Sequence, residues 1–218
     1  MVRMTAHRGS ASIAPSSIRS GERGVSQYRE LLRPLVASAL RHEPTVLASG
    51  VMSTFYFDGK LVTLSPDGAY LLARYLLETI PASEYDAIGG LTMGADPIAA
   101  AVSALSHELG TPKTAFIVRR ERKEHGRRKR IEGPLPQGAR VVIVDDVATS
   151  GGSIMDAVHA VESERGCTVV RVVALVDRQQ GARELFEASG YTFTPVFTAG
   201  ELGVSAEEIR AQRAASTA

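Results

Sequence analysis

Two adjacent aspartates, Asp145 and Asp146, follow a run of four β-branched residues at positions 141–144. Two residues further on, positions 149–153 hold only threonine, serine and glycine. In open α/β sheets ligands bind outside the carboxyl ends of the strands, so both carboxylates are expected to face a binding crevice. Backbone N–H groups and hydroxyls at the start of the following helix are suited to a phosphate. Because carboxylates accept hydrogen bonds from sugar hydroxyls, the combination predicts a phosphorylated sugar as ligand.

A simpler interpretation is that the two aspartates cap the following helix, as aspartate often does. Two carboxylates between a β-branched run and a Thr-Ser-Gly-Gly-Ser turn form a rarer pattern than one capping residue. The sequence contains no GxxxxGK[ST] motif, no GxGxxG motif after a strand and no HExxH motif. The residues therefore favour a sugar-phosphate site over a capping role and over other nucleotide motifs.

A strongly charged segment separates two of the predicted strands. Residues 119–130 read RRERKEHGRRKR, and the roughly twenty residues from Arg119 to Arg140 show no apolar periodicity. Connections in compact domains rarely exceed about 12–15 residues. The segment is either a solvated surface loop or a lid that closes over an active site.

The rest of the chain alternates between predicted strands and helices. Strands are predicted at residues 54–58, 85–90, 114–118, 140–145 and 168–176. Helices are predicted at residues 27–41 (interrupted or restarted at Pro34), 69–79 (starting from Ser65-Pro66-Asp67), 96–109, 152–165 and 182–189. Continuous apolar strands are typical of a parallel sheet that is covered on both faces. The pattern predicts an α/β domain with a doubly wound, mainly parallel sheet flanked by helices.

Composition limits the classes of protein to which the chain can belong. Its 218 residues are 44% hydrophobic and 22% charged, which fits a globular domain. A formal net charge of +1 argues against a nucleic-acid partner. No apolar run approaches the roughly 20 residues of a membrane span, so no membrane partner is expected. The single cysteine, Cys167, excludes an internal disulfide and indicates a reducing, cytoplasmic compartment.

Residues 1–24 differ in composition from the rest of the chain. They hold five serines and four arginines against one acidic residue, Glu22. A segment of this kind can bury little apolar surface, which predicts a disordered N-terminal tail. The same composition occurs in organelle transit peptides, although no clear amphipathic helix is present.

Residues 141–153 resemble the motif with which type I phosphoribosyltransferases bind phosphoribosyl pyrophosphate (PRPP). Other stretches resemble the orotate phosphoribosyltransferases within that superfamily: residues 47–50 and 53–60, 90–97, 119–126 and 177–179. Together they span residues of about 47–180 in the order of that family. The resemblance implies a type I phosphoribosyltransferase fold over residues 25–218. Its core would occupy about 66–190, and residues 25–65 with the C-terminal segment would form a small hood.

The resemblance also implies roles for individual residues. The aspartates would hold the ribose hydroxyls and the turn would hold the 5′-phosphate, which gives the PRPP-binding residues as Asp145, Asp146, Val147, Ala148, Thr149, Ser150, Gly151, Gly152 and Ser153. The orotate-binding residues would be Thr149, Arg178, Tyr56, Phe57 and Lys60, with the planar guanidinium of Arg178 matched to the orotate carboxylate. The catalytic residues of the lid would be Lys123, His125, Arg119 and Arg120.

Further expectations concern the metal, the proton donor and the assembly. Mg²⁺ is expected as cofactor, bound through PRPP near Asp145 and Asp146 rather than by direct protein ligands. Lys123 or His125 would donate a proton to the leaving pyrophosphate. Relatives of this family pair as homodimers, and each lid would then serve the active site of the neighbouring subunit.

Two departures from the family pattern affect the expected site. Some members carry lysines where Ala48 and Gly94 stand, and Arg120 replaces a more usual lysine. Lys60 either replaces the missing charge or lies in a turn. Two alternatives to the main interpretation remain: a phosphoribosyltransferase for another base, and a non-catalytic regulator of RNA that senses PRPP. His107, His159 and Cys167 are expected to be structural.

Overall fold

The computed structural model describes residues 26–42, 45–46, 52–120 and 130–217. Its helices are α1 (Gln27–Ser38), α2 (Lys60–Thr63), α3 (Pro66–Thr79), α4 (Ala95–Glu108), α5 (Gly152–Arg165), α6 (Ala182–Ala188) and α7 (Ala206–Thr217). Its strands are β1 (Leu40–Arg41), β2 (Thr45–Val46), β3 (Met52–Ser53), β4 (Tyr56–Phe57), β5 (Ala87–Leu91), β6 (Thr114–Val118), β7 (Ile131–Glu132), β8 (Arg140–Ala148), β9 (Thr168–Asp177) and β10 (Phe193–Thr198). The expected tail, residues 1–24, lies outside the described residues.

Six strands form one central sheet in the order β10-β9-β8-β5-β6-β7. The first five are parallel to their neighbours, and β7 is antiparallel to β6. Alternate residues of β8 face opposite sides, as the pleat requires. Val142 and Val144 pack into one core cluster with α1, α3 and α4, whereas Val141 and Ile143 pack into the other with α5 and α6. The predicted α/β fold, with a mainly parallel sheet covered on both faces, is confirmed.

Helix α3, which packs against the central sheet, starts where the sequence pattern predicted a helix start. Ser65 is its N-cap and accepts a hydrogen bond from the backbone N–H of Gly68 at 3.1 Å, and Pro66 stands at the first helical position. Both features are favourable at a helix start. The chain is therefore turned into α3 where Ser65-Pro66-Asp67 predicted it.

Some boundaries differ from the prediction. Helix α1 runs through Pro34 without a break and ends at Ser38 rather than residue 41. The strand expected at residues 54–58 is reduced to the two residues of β4, which pair with β1. Strand β8 continues to Ala148, three residues beyond the predicted end, because it stays paired with β9 as far as Asp177.

The connection between Arg119 and Arg140 was expected to lack regular structure, and this prediction was wrong in part. Strand β7 pairs with the end of β6, and the backbone N–H of Arg119 donates to the carbonyl of Arg130 at 2.8 Å. Ile131 and Leu135 are buried in the core. The charged segment therefore starts and ends on a hairpin. Its residues 121–129, which include the predicted catalytic Lys123 and His125, lie outside the described residues.

Smaller elements lie beside the central sheet. Strands β1 and β4 form one antiparallel pair, β2 and β3 form another, and α7 is linked to the chain before β4 by a hydrogen bond from Thr54 N–H to Gln212. Strand β10 extends the central sheet beyond residue 190, where the core was expected to end. In the part of the chain that the structure describes, no helix is long and apolar enough to cross a membrane.

Candidate active site

The two aspartates lie at the carboxyl end of β8, where they line a cavity of about 460 Å³. The lining residues are Lys60, Leu91, Thr92, Met93, Gly94, Arg120, Asp145, Asp146, Val147 and Ser153. Asp146 is buried, Asp145 is half-buried, and the Asp146 N–H donates to Oδ1 of Asp145 at 3.0 Å. The N-cap of α5 is Gly151, without a side-chain capping bond. The aspartates thus face the cavity and do not cap the helix.

Lys60 approaches the acid pair from the opposite wall of the cavity. Its Nζ lies 3.2 Å from Oδ2 of Asp146. The neighbouring Gly59 packs so closely that a Cβ there would lie 2.6 Å from Cβ of Asp146. Burial lowers the pKa of the Lys60 ammonium, but the charge of Asp146 and its hydrogen bond raise that pKa by more. Lys60 is therefore a fixed cation at the acid pair.

Asp145 carries the strongest electrostatic effect at the site. Burial raises the pKa of its carboxyl, the negative charge of Asp146 raises it further, and the result is a value of about 8. The charge of Lys60 opposes this shift. Two carboxylates in one partly closed site repel each other, and Lys60 offsets only part of this repulsion. A ligand that brings hydroxyl donors or a cation would stabilise the ionised pair.

The loop after β5 forms the wall next to Asp145. A Cβ at Gly94 would overlap Oδ1 of Asp145 and would lie 2.7 Å from Oδ1 of Asp146. The φ angle of Gly94 is −64°, which any residue adopts, so space rather than backbone conformation requires glycine here. Thr92 holds the loop by donating from Oγ1 to Oδ2 of Asp96 at 2.7 Å. No lysine side chain can start from position 94 in this arrangement.

The turn after the aspartates encloses a smaller cavity of about 70 Å³, lined by residues 147–154. Gly151 has a φ of +86°, a left-handed conformation that favours glycine, and it leads into α5. The turn is supported from behind, because Arg178 N–H donates to Ala148 O at 2.9 Å and Ala182 N–H donates to Thr149 O at 3.2 Å. A concave turn at a helix N-terminus is suited to bind an anion such as a phosphate.

Arg178 follows β9 and is almost completely buried, with 3% of its surface exposed. Its Nη2 donates to the carbonyl of Phe55 at 3.1 Å, and the guanidinium lies 4.5 Å from the centre of the Phe55 ring. Burial lowers the pKa of Arg178, and Tyr56 acts in the opposite direction. Sequence reasoning missed Phe55, which lies next to the predicted Tyr56 in the chain.

The other predicted orotate contacts occupy different surroundings. Tyr56 is 36% exposed, whereas Phe57 is buried in the core cluster that contains α1 and α3. Thr149 lines the smaller cavity, and Lys60 lines the larger one. The structure thus brings Lys60 to the acid pair and stacks Arg178 on Phe55.

The described ends of the charged segment show where the predicted lid is anchored. Arg120 lines the larger cavity. The Arg119 side chain turns to Glu132, with its Nε 3.0 Å from Oε1. His107 and His159 lie on the surface, and Cys167 is buried. Among the described residues, no group of three or more histidine, cysteine, aspartate or glutamate side chains is arranged to hold a metal.

Comparison with known proteins agrees with this geometry. The family model described as the phosphoribosyl transferase domain matches residues 69–193, from α3 to the start of β10. This match covers β5 to β9 of the central sheet, the acid pair and the turn. The chain is therefore a member of the phosphoribosyltransferases, the class that its fold and site define.

Similar proteins show which family of phosphoribosyltransferases this chain belongs to. An orotate phosphoribosyltransferase of Nostoc sp. is 43% identical over 200 residues, which cover 91% of this chain and 96% of that protein. That of Bradyrhizobium diazoefficiens is 48% identical over 160 residues, covering 71% and 84%. The structure of Mycobacterium tuberculosis orotate phosphoribosyltransferase in complex with PRPP has a TM-score of 0.65 and 36% identity, covering 81% of this chain and 99% of that one. The chain belongs to the orotate phosphoribosyltransferase family, which confirms the family predicted from the sequence.

Proposed function

We propose that this enzyme transfers the phosphoribosyl group of PRPP to orotate through the residues of the two cavities, in the synthesis of UMP. N1 of orotate loses its proton, which the leaving pyrophosphate or water takes up, and forms a bond to C1 of the ribose. The C1–O bond breaks, and the leaving pyrophosphate keeps its electron pair. The products are orotidine 5′-monophosphate and pyrophosphate. Positive charge develops on the ribosyl group during transfer, by analogy with other glycosyl transfers.

The observation that carries this proposal is the position of the acid pair beside the phosphate turn. Asp145 and Asp146 line the larger cavity, and the turn that starts at Val147 encloses the smaller one. PRPP would lie across both, with its ribose hydroxyls donating to the carboxylates and its 5′-phosphate bound by residues 147–153. This places C1 of the ribose in the larger cavity, next to Lys60 and Arg120.

The acid pair also fits a magnesium complex of PRPP. Burial and mutual repulsion raise the pKa of Asp145, so added positive charge favours the ionised carboxylates. Mg²⁺ bound through the oxygens of PRPP near Asp145 and Asp146 would neutralise charge on the pyrophosphate. The carboxylates themselves orient the ribose, and Lys60 limits their repulsion from the protein side.

The base is proposed to bind toward Arg178, with Thr149 and Tyr56 beside it. A guanidinium offers two parallel donors to a carboxylate, a group that orotate has and uracil lacks. Burial of Arg178 strengthens such a contact because little water competes for it. We assign Lys60 to the reaction-centre side, in place of the lysines missing at positions 48 and 94.

Leaving-group stabilisation is proposed to come from the charged segment, with Arg119, Arg120, Lys123 and His125. Its anchoring hairpin ends at the cavity, where Arg120 already lines the wall. We propose a homodimer in which Arg120 stays at the cavity of its own subunit, while Lys123 and His125 serve the partner's site. Leu61, Leu64 and Tyr70 on α2 and α3 support an interface on this side of the molecule, because 54%, 69% and 45% of their surfaces are exposed. A cytoplasmic location is proposed from the single cysteine.

The test of PRPP binding is calorimetry with PRPP and Mg²⁺ on the Asp146→Asn variant. We expect PRPP affinity to fall by about tenfold to a hundredfold, because a charged hydrogen-bond acceptor is lost. The melting temperature should change little, since Asp146 lies at the end of a strand and not in the core. Unchanged PRPP affinity would overturn the assigned role of the acid pair.

A further inference from the structure

The C-terminal helix α7 is linked to the region before β4 by a partly buried hydrogen bond. Oε1 of Gln212 accepts a hydrogen bond from the backbone N–H of Thr54 at 3.0 Å. Gln212 is buried, with 3% of its surface exposed, although most of α7 is exposed. Because Gln212 is itself buried, this hydrogen bond holds the backbone of the exposed residue Thr54 against α7.

The next residue, Phe55, is held by the same helix. Phe55 is 1% exposed and forms a small apolar cluster with Ala199 and Val204. Ile209 of α7 packs against this cluster. Helix α7 therefore fixes Phe55 in two ways, through the Gln212 hydrogen bond at Thr54 and through direct packing.

Phe55 in turn fixes Arg178. Its carbonyl accepts from Nη2 of Arg178 at 3.1 Å, and its ring stacks on the guanidinium at 4.5 Å. The backbone N–H of Arg178 donates to Ala148 O at the start of the phosphate turn. The backbone of Arg178 is thus set by the turn, whereas the direction of its guanidinium is set by Phe55.

We propose that Gln212 is a positioning residue for the base, acting through Thr54 and Phe55 on the guanidinium of Arg178. The inference rests on the proposed contact of Arg178 with the orotate carboxylate. A bidentate contact depends on the direction of the guanidinium plane, so a shift of Phe55 weakens orotate binding. Gln212 contacts Thr54, which lies far in sequence from the acid pair and the phosphate turn, so we expect PRPP binding to stay intact.

The experiment compares steady-state kinetics of three variants of the full chain. Gln212→Met keeps the length of the side chain but removes the acceptor, and we expect KM for orotate to rise about tenfold. The value of kcat and the affinity for PRPP should stay near those of the unmodified enzyme. Gln212→Glu keeps an acceptor oxygen and should restore KM for orotate. Arg213 lies next to Gln212 on α7, and Arg213→Ala removes an exposed ion pair with Glu184 of α6. This control variant should leave all three quantities unchanged.

Arg178→Ala serves as the reference for the base site. A raised KM for orotate in Arg178→Ala, combined with an unchanged KM in Gln212→Met, would overturn the role of Gln212 and leave the proposed function standing. An unchanged KM in Arg178→Ala would instead remove the proposed base contact. An equal loss of PRPP affinity in Gln212→Met would show a general structural role and would also overturn the inference. If Gln212→Met does not fold, Ile209→Ala reduces packing on the same cluster and carries the same expectation.

Discussion

The backbone of Gly94 lies directly against the carboxylate of Asp145, in a space that a Cβ atom would fill. Strand β8 brings the aspartate to this point, and the loop after β5 brings the glycine. The absence of a side chain at position 94 is thus part of the geometry of the acid pair. Lys60, on the other wall, supplies the cation near the same two carboxylates.

Gly94→Ala should displace Asp145 and reduce kcat/KM for PRPP by about a hundredfold, because a shift of one ångström at a reacting centre can have an effect of that size. The control is the double variant with Asp145→Ala. If the alanine acts through Asp145, the double variant is no worse than Asp145→Ala alone. A loss in the double variant that equals the combined losses of Gly94→Ala and Asp145→Ala would contradict this explanation.

The main elements of the fold were predictable because their signals are local. The run at positions 141–144 is buried on both faces of the sheet, and Ser65 with Pro66 marks the start of α3. Strand β10 was missed because Pro195 interrupts its pattern, and an edge strand tolerates proline. Strand β7 has two residues, and its register is set by β6 rather than by its own sequence.

Lys60→Met should lower kcat/KM for PRPP about tenfold, a moderate effect because the Lys60 side chain is 42% exposed. The charge of Lys60 lowers the pKa of Asp145, so its removal should shift the acidic limb of the pH–rate profile to higher pH. Lys113→Met, which removes a lysine that donates to Ala82 O and Tyr85 O, is the control. Identical pH–rate profiles for Lys60→Met and the unmodified enzyme would mean that Lys60 is only a turn residue.

Binding of PRPP should release a proton from Asp145 at neutral pH. In the folded protein without ligand the pKa of Asp145 is about 8, compared with an ordinary value of 3.8. The carboxyl therefore keeps its proton between these two pH values, where an ordinary aspartate has lost it. Hydrogen bonds from ribose hydroxyls favour the ionised form, so PRPP affinity should rise with pH across this window. The stability of the protein without ligand should fall over the same window, because the unfolded chain releases the proton more readily.

Proton release can be measured by calorimetry in buffers with different ionisation enthalpies. The Asp145→Asn variant serves as the control, since it corrects for protons that PRPP itself exchanges. Equal proton release in the variant and in the unmodified enzyme would exclude Asp145 as the source.

The site could be predicted only where its residues are neighbours in sequence. Asp145, Asp146 and the turn form one continuous motif, so their chemistry could be predicted from the sequence. Lys60 lies 86 positions from Asp146, and Phe55 lies 123 positions from Arg178. Such contacts depend on how the strands are ordered, which the residue pattern does not specify.

A dimer with shared sites should be detectable by mixing two impaired variants, Lys123→Ala and Asp146→Asn, after dissociation and reassociation, at a PRPP concentration too low for either variant alone to show activity. In a mixed dimer, one site carries both changes and the other carries neither. With random pairing about half of the dimers are mixed, so about a quarter of the original activity should return. Mixed dimers without recovered activity, or a protein that is monomeric in solution, would contradict shared sites.

The most direct measurement is the absorbance of orotate after the purified protein is mixed with PRPP and Mg²⁺. The absorbance should fall as orotidine 5′-monophosphate and pyrophosphate appear in equal amounts, and uracil or hypoxanthine in place of orotate should give no product. Orotate that stays unchanged under these conditions, or uracil consumed at a comparable rate, would contradict the assignment.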